Sequence, residues 1–188
     1  ITIGDVAGKG MPAALLMARL YSSTRLQLLT SSTPAQAISR LNAEIASSGL
    51  GHRFITFLCM VLNPKTHELS VVNAGHLPPV LRSREGAIST FGREQASLPL
   101  GIVPDLSYQE AAIQVKAGDT IIAFTDGATE AMNADKKIFG RARLESLIAA
   151  ENGDVEETLQ KITTEVGEFI ADDATRDDLC LIGIRRSE

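Results

Sequence analysis

The apolar positions of this 188-residue chain follow two rhythms, one helical and one extended. From Met11 to about Leu29 the sequence is rich in helix formers. Pro12 sits in the first turn and no glycine or proline follows it, which predicts a long apolar-faced helix. Thr33-Pro34-Ala35-Gln36 has capping-box form, and Ile38, Leu41 and Ile45 recur on one face, so a second helix is expected to end near Ser47 to Gly49. Phe54 to Leu62 is almost unbroken apolar, Asn63-Pro64-Lys65-Thr66 reads as a turn, and Leu69 to Val72 reads as the return strand of a buried antiparallel hairpin.

A second hairpin is predicted from Val80-Leu81-Arg82, a Glu85-Gly86 turn, and Ile88 to Phe91. Residues 92–107 read as loop, with Pro99, Gly101 and Pro104 as breakers. Tyr108 to Val115 alternates, Ala117-Gly118-Asp119 turns, and Thr120 to Thr125 forms a buried strand that delivers Asp126-Gly127. Ala128-Thr129-Glu130-Ala131-Met132 is helix-like. Helices are expected at Arg141 to Ala150 and Val155 to Ile170. The latter is capped by Asp154 and Glu157 and striped by Val155, Leu159, Ile162, Val166 and Ile170. The last strand is Leu179 to Ile184. Helix pairs alternating with antiparallel hairpins, without strict βαβ alternation, imply an α+β sandwich of two antiparallel sheets flanked by helices. At this length, with no internal repeat or linker, residues 1–188 read as a single domain.

Charge narrows the partners. The formal charge is −5 with a pI near 5.3. The basic runs Arg82-Ser83-Arg84 and Arg185-Arg186 are too short to track a line of phosphates, so nucleic acid is not an expected partner. Cys59 and Cys180 each lie in an apolar strand-like run and read as buried small hydrophobes. Two cysteines, no signal peptide and no membrane-length apolar segment suggest a reducing cytoplasm. Ile1 opens inside what reads as the end of a strand, which suggests a piece of a longer protein.

The candidate chemistry lies in three carboxylates at three strand ends. They are Asp5 in Ile3-Gly4-Asp5-Val6-Ala7-Gly8-Lys9-Gly10, Asp126 in Phe124-Thr125-Asp126-Gly127, and Asp177 in Asp177-Asp178-Leu179-Cys180. A fold that gathers those ends makes a set of hard oxygen ligands suited to Mg²⁺ or Mn²⁺. Adjacent Asp177 and Asp178 repel one another, a cost that a bound cation removes. Each piece has a plainer reading: a glycine-rich strand-to-helix turn, a tight Asp-Gly turn, and a solvated loop. The first motif is not a P-loop, because it has three residues between its glycines where four are needed, and Gly10 follows its lysine. His76 has no second histidine at metal-ligand spacing, and His52 and His67 lie in polar stretches. His76 is therefore expected to fix a turn, with general acid as the lesser role, and no zinc site is expected. No nucleophile elbow, His-Glu-x-x-His or Cys-x-x-Cys motif occurs.

In this order, Gly4 to Ala14, Asn73-Ala74-Gly75-His76-Leu77-Pro78-Pro79, Leu98-Pro99-Leu100-Gly101, Gly118-Asp119 through Thr125-Asp126-Gly127-Ala128-Thr129-Glu130-Ala131, Phe139-Gly140 and Asp177-Asp178 resemble the PPM family of metal-dependent serine/threonine phosphatases. The resemblance is to its bacterial SpoIIE/RsbU branch and runs from the first residue to the last strand. It implies an α-β-β-α sandwich carrying two Mn²⁺ or Mg²⁺ ions. Asp5 would bridge both metals, the Val6 carbonyl would be a further ligand, and Asp126 and Asp177 would complete the site. Asp178 would support the ligands from behind, and Gly8, Lys9, Gly10, His76 and Gly127 would line the substrate side. Two such ions lower the pKa of a shared water and hold the phosphoryl oxygens for in-line attack, so no protein nucleophile is required. The glycines around Asp5 let backbone approach the ions, and the start of helix one can face an anion.

Two departures stand out. The family's first acidic motif, on a strand upstream of the Gly-Asp-Val strand, is missing, so the domain reads as N-terminally truncated and one metal loses a ligand. Lys9 also stands where many relatives have histidine. It can contact a phosphate but is a poorer proton donor at neutral pH. The resemblance further implies a phosphorylated STAS-domain anti-sigma-factor antagonist as substrate and upstream sensor or receiver domains in the parent chain. Helix one would couple them to the metal site, and a homodimer is one assembly it allows. The main rival is a catalytically weak regulatory module of the same fold that binds a phosphoprotein. A further rival is a hydrolase of small phosphoesters.

Overall fold

The computed structural model describes residues 1–48, 53–151, 154–170 and 177–187. Two compact units emerge, residues 1–78 with 92–114 and residues 79–91 with 115–188.

In the first unit, β1 (Thr2–Val6), β2 (Ile55–Leu62), β3 (Glu68–Ala74) and β6 (Glu110–Gln114) form an antiparallel sheet in the order β1-β2-β3-β6. Ile55, Phe57 and Cys59 alternate on the face that joins Leu16, Leu20, Ile38, Leu41 and Ile45 in one apolar cluster. The intervening Leu58 and Met60 are buried as well, which explains why β2 reads as a continuous apolar run instead of an alternating one. The helices are α1 (Met11–Thr30) and α2 (Pro34–Ala46).

Thr33 caps α2 as its sequence suggests, its hydroxyl accepting from the Gln36 amide. The Gln36 side chain does not close the box. Its carbonyl instead accepts from the Ser32 amide and hydroxyl, one residue upstream. The predicted end of α2 at Gly49 lies outside the described residues, and the helix itself closes at Ala46. Residues 92–107 are loop as expected, pinned by a fully buried Asn42. Its amide nitrogen donates to the Val103 and Pro104 carbonyls, and its oxygen accepts from the Gly101 amide. The Tyr108 hydroxyl donates to the Leu98 carbonyl, and burial pushes that phenol up to about 12.

In the second unit, β4 (Val80–Arg82), β5 (Ile88–Thr90), β7 (Thr120–Phe124) and β8 (Leu181–Arg185) form an antiparallel sheet in the order β5-β4-β7-β8. Its helices are α3 (Arg141–Ala150) and α4 (Val155–Phe169), and the latter carries the predicted Asp154/Glu157 capping box. The two antiparallel sheets and the helices that flank them match the sequence expectation.

Two expectations fail here. Residues 128–132 do not continue as a helix. After one 3₁₀ turn at Asp126–Ala128 the chain opens into a hairpin, because Asn133 closes a turn and Phe139 returns to bury beside Phe169. Cys180 is exposed, not buried, since it precedes β8 at the edge of its sheet. Cys59 is buried as predicted, and burial pushes its thiol up to about 11. Among the described residues no helix is long and apolar enough to cross a membrane.

One polar knot ties α1 to α2. The Ser23 hydroxyl donates to Glu44 Oε1 at 2.5 Å, Gln27 Nε2 donates to Oε2 at 3.5 Å, and Arg19 Nε lies 3.5 Å from Oε1. The Ser23 bond holds this carboxyl below the usual glutamate range against the opposing effect of burial, with Gln27 and Arg19 adding to it. A depressed pKa contributes stability that is present above the unfolded value and lost as pH falls through the folded one. Glu44→Gln is therefore expected to cost about 1 kcal/mol at pH 7. The gap to wild type should narrow in acid as the wild-type carboxyl protonates, which urea denaturation at both pH values will show.

Candidate metal centre

The carboxylates and their neighbours fall into two groups, one in each unit. In the first, Asp5 lies inside β1 and not beyond its end, paired in register with Thr56 of β2. Opposed residues of an antiparallel pair share a face, so Asp5 and Thr56 point the same way. Thr56 Oγ1 is 2.9 Å from Nδ1 of His76. His76 is buried, and its turn is closed by Asn73, whose Oδ1 accepts from the His76 amide at 2.8 Å while its Nδ2 donates to the His76 carbonyl at 3.0 Å. Asn73 fixes the turn, and the imidazole is left to engage Thr56.

Past Val6 the ladder continues by one bond, from the Ala7 amide to the Phe54 carbonyl. The loop then passes Gly8 at φ +108° and Gly10 at φ +82°, where any other residue would be strained, before α1 begins. Lys9 is exposed between them, and a Cβ on Gly8 would lie 3.4 Å from Arg53 Nε. Arg53 is thus a second cation beside the glycine loop, and sequence reading missed it because it carries no motif.

In the second unit, Thr125 joins two carboxylate-bearing turns. Its hydroxyl donates to the Asp178 carbonyl at 2.8 Å and accepts from the Cys180 amide at 2.9 Å, while its own amide donates to the Cys180 carbonyl. Asp126 starts the 3₁₀ turn. Its carbonyl accepts from the amides of Thr129 and Glu130, so the hydrogen bonds that build the turn run through its backbone and not its carboxylate. Gly127 packs so tightly that a Cβ would come within 2.6 Å of the Asp178 carbonyl oxygen. Asp177 and Asp178 are both exposed, and one Asp177 oxygen accepts from the Asp178 amide at 2.9 Å.

This unit therefore brings Asp126, Gly127, Asp177 and Asp178 together, while Asp5, Val6, Gly8, Lys9, Gly10 and His76 belong to the other. The Thr125 clamp was not read from the sequence, although a hydroxyl residue directly before a strand-end aspartate was its available signal. Every candidate donor is a hard oxygen, a set that fits Mg²⁺ or Mn²⁺ and not zinc or copper. Among the described residues no three His, Cys, Asp or Glu side chains already stand together as a metal cage.

The sequence model of the family described as Stage II sporulation protein E (SpoIIE) matches residues 1–187. The chain is similar to phosphoserine phosphatase RsbU of Bacillus subtilis (strain 168), with 29% identity over 99% of this chain and 55% of RsbU. It thus spans about half the length of that relative. Among solved structures it is similar to the SiaA-PP2C domain of Pseudomonas aeruginosa, with TM-score 0.81, 18% identity, and coverage of 98% of this chain and 73% of that one. It is also similar to the PP2C phosphatase domain, with a fragment of the regulatory domain, of SpoIIE from Bacillus subtilis. There the TM-score is 0.78 at 18% identity, over 98% of this chain and 53% of that one. These two likenesses establish the fold.

The clamp is testable by itself. Thr125→Val leaves the Asp178 carbonyl and Cys180 amide without their shared partner and should cost about 1–3 kcal/mol in urea denaturation, whereas Thr125→Ser, which keeps the hydroxyl, should cost less. Gly127→Ala forces a methyl against backbone and should destabilise at least as much as Thr125→Val. A neutral Gly127→Ala would show that the Asp178 backbone yields freely.

Proposed function

Because the chain belongs to the SpoIIE family, we propose that it acts as a metal-dependent protein-serine/threonine phosphatase. The observation that carries this reading is the Thr125 clamp, which holds the Asp126 turn against the Asp177-Asp178 segment and gives two family carboxylate motifs a fixed geometry. The relative named phosphoserine phosphatase RsbU, similar over 99% of this chain, supports it.

In this reading Asp5 and the Val6 carbonyl of the first unit and Asp126 and Asp177 of the second would hold two Mn²⁺ or Mg²⁺ ions, and Asp178 would steady Asp177 through its own amide. Bound divalent cations would supply water activation and charge neutralisation for phosphoryl transfer. The protein's own contribution is placement. Thr125 fixes the distance between two ligand-bearing turns, and Gly127 lets them close. Thr56 and His76 stand beside Asp5 as positioning groups, and Gly8, Lys9 and Gly10 present backbone and a cation to the substrate phosphate.

The substrate in this reading is a phosphorylated STAS-domain anti-sigma-factor antagonist in cytoplasmic stress or developmental signalling, with upstream sensor or receiver domains exerting control. α1, which follows the Asp5 loop and exposes Met11, Leu15, Tyr21, Leu26 and Leu29, is the element assigned to couple them. The rival reading is a phosphoprotein-binding module of weak activity, in which the same exposed glycine and lysine loop binds a phosphate without hydrolysing it.

Mn²⁺-dependent hydrolysis of p-nitrophenyl phosphate by the full-length protein separates the two. The phosphatase reading expects activity that disappears on chelation and in a folded Asp126→Asn variant. A folded wild-type protein without activity, but with retained phosphoprotein binding, would favour the module. Asp5→Asn should abolish turnover more completely than Asp178→Asn, which is expected to lose about 10- to 100-fold because it acts only through a neighbouring ligand. The reverse ranking would reassign the two residues.

A further inference from the structure

The hairpin that follows the Asp126 turn carries an unexplained surface. It is rooted on that turn: the Thr129 and Glu130 amides donate to the Asp126 carbonyl, the Gly140 amide to Thr129, and the Phe139 amide to Ala131. Met132 then bridges Ile138, and the Asn133 side chain closes the tip by accepting from the Asp135 and Lys137 amides at 3.1 and 2.9 Å. As directly opposed residues, Met132 and Ile138 share one face. They are 48% and 58% exposed, and among the described residues of this unit they are the exposed large apolar side chains.

Folding therefore leaves outside, on a short and well-bonded hairpin, the kind of surface that it buries in the other described residues of this unit. Two lysines stand beside the pair. Lys137 meets Asp135 only at 3.9 Å with both side chains about three-quarters exposed, and Lys136 has no ion pair among the described residues. The opposing charges are Asp135 at the tip and Glu130 at the root. Two side chains cover far less than the ~1,200 Å² that a stable pairing of two copies needs, so the patch suits a transient contact.

Building on the phosphatase reading, we infer that the Met132–Ile138 hairpin is a substrate-docking element that engages an acidic phosphoprotein outside its phosphorylated residue. The apolar pair receives an apolar side chain of the partner, and Lys136 and Lys137 face its carboxylates or further phosphates. Its rooting on the Asp126 carbonyl keeps the docked segment in a fixed relation to the carboxylate-bearing turn.

The test compares β-casein phosphorylated on serine with p-nitrophenyl phosphate, which is too small to reach the hairpin while reacting. The variants are Met132→Ser/Ile138→Ser and Lys136→Glu/Lys137→Glu in the full-length protein. Each should lower kcat/KM for casein at least tenfold through KM, with p-nitrophenyl phosphate turnover unchanged. The lysine variant should also lose the salt sensitivity of casein turnover. Equal effects on both substrates, or none on either, would overturn the inference and leave the phosphatase reading standing. If wild type hydrolyses neither substrate, it is the phosphatase reading that fails. Docking is then read from the affinity of fluorescein-labelled β-casein, where weaker binding by the variants supports the hairpin's role and equal affinities overturn it.

Discussion

The Thr125 hydroxyl is the constraint on which the candidate site in the second unit depends. It donates to the Asp178 carbonyl and accepts from the Cys180 amide, and so satisfies two backbone groups from a segment distant in sequence. A buried donor or acceptor left unmade costs more than the bond contributes, so the arrangement resists drift. Gly127 completes it. With no Cβ, the Asp126 turn can lie against the Asp178 backbone at a distance no other residue would permit. Two exposed carboxylates and one half-buried carboxylate are thereby held at the end of a fully buried strand, β7. A rigid scaffold carrying exposed carboxylates is the arrangement the proposed metal site needs.

The first unit uses a different device. Asp5 is fixed by strand pairing, and its register partner Thr56 is engaged by His76, whose own turn is closed by Asn73. Thr56 and His76 are thus set by strand register and a closed turn, while the loop beyond Asp5 is nearly all glycine and lysine. A carboxylate fixed by strand pairing and an exposed glycine-rich loop are adjacent in the chain.

Much of this was legible in the sequence, for identifiable reasons. The strands of β2, β3, β4 and β7 were readable because apolar runs and Asn-Pro or Glu-Gly turns act locally. Thr33 and Asp154 announced their caps because capping is a contact between residues three apart. What escaped depended on partners far away. Gln36 turned to Ser32, Asn42 reached across to the Val103 loop, and Thr125 found Asp178. Cys180 looked buried because an apolar run does not reveal that its strand lies at a sheet edge. Residues 128–132 looked helical because the signal that bends them, a side-chain turn at Asn133 and burial of Phe139, lies beyond the stretch itself. The resemblance to metal-dependent phosphatases rested on short ordered motifs and agrees with the full-length family match.

The central claim is that the carboxylates of these motifs bind divalent metal. Calorimetric titration of Mn²⁺ into the full-length protein, repeated with Asp5→Asn and Asp126→Asn, tests it most directly. The account predicts wild-type binding that both variants weaken. Undiminished Mn²⁺ binding by folded Asp5→Asn and Asp126→Asn proteins would contradict it.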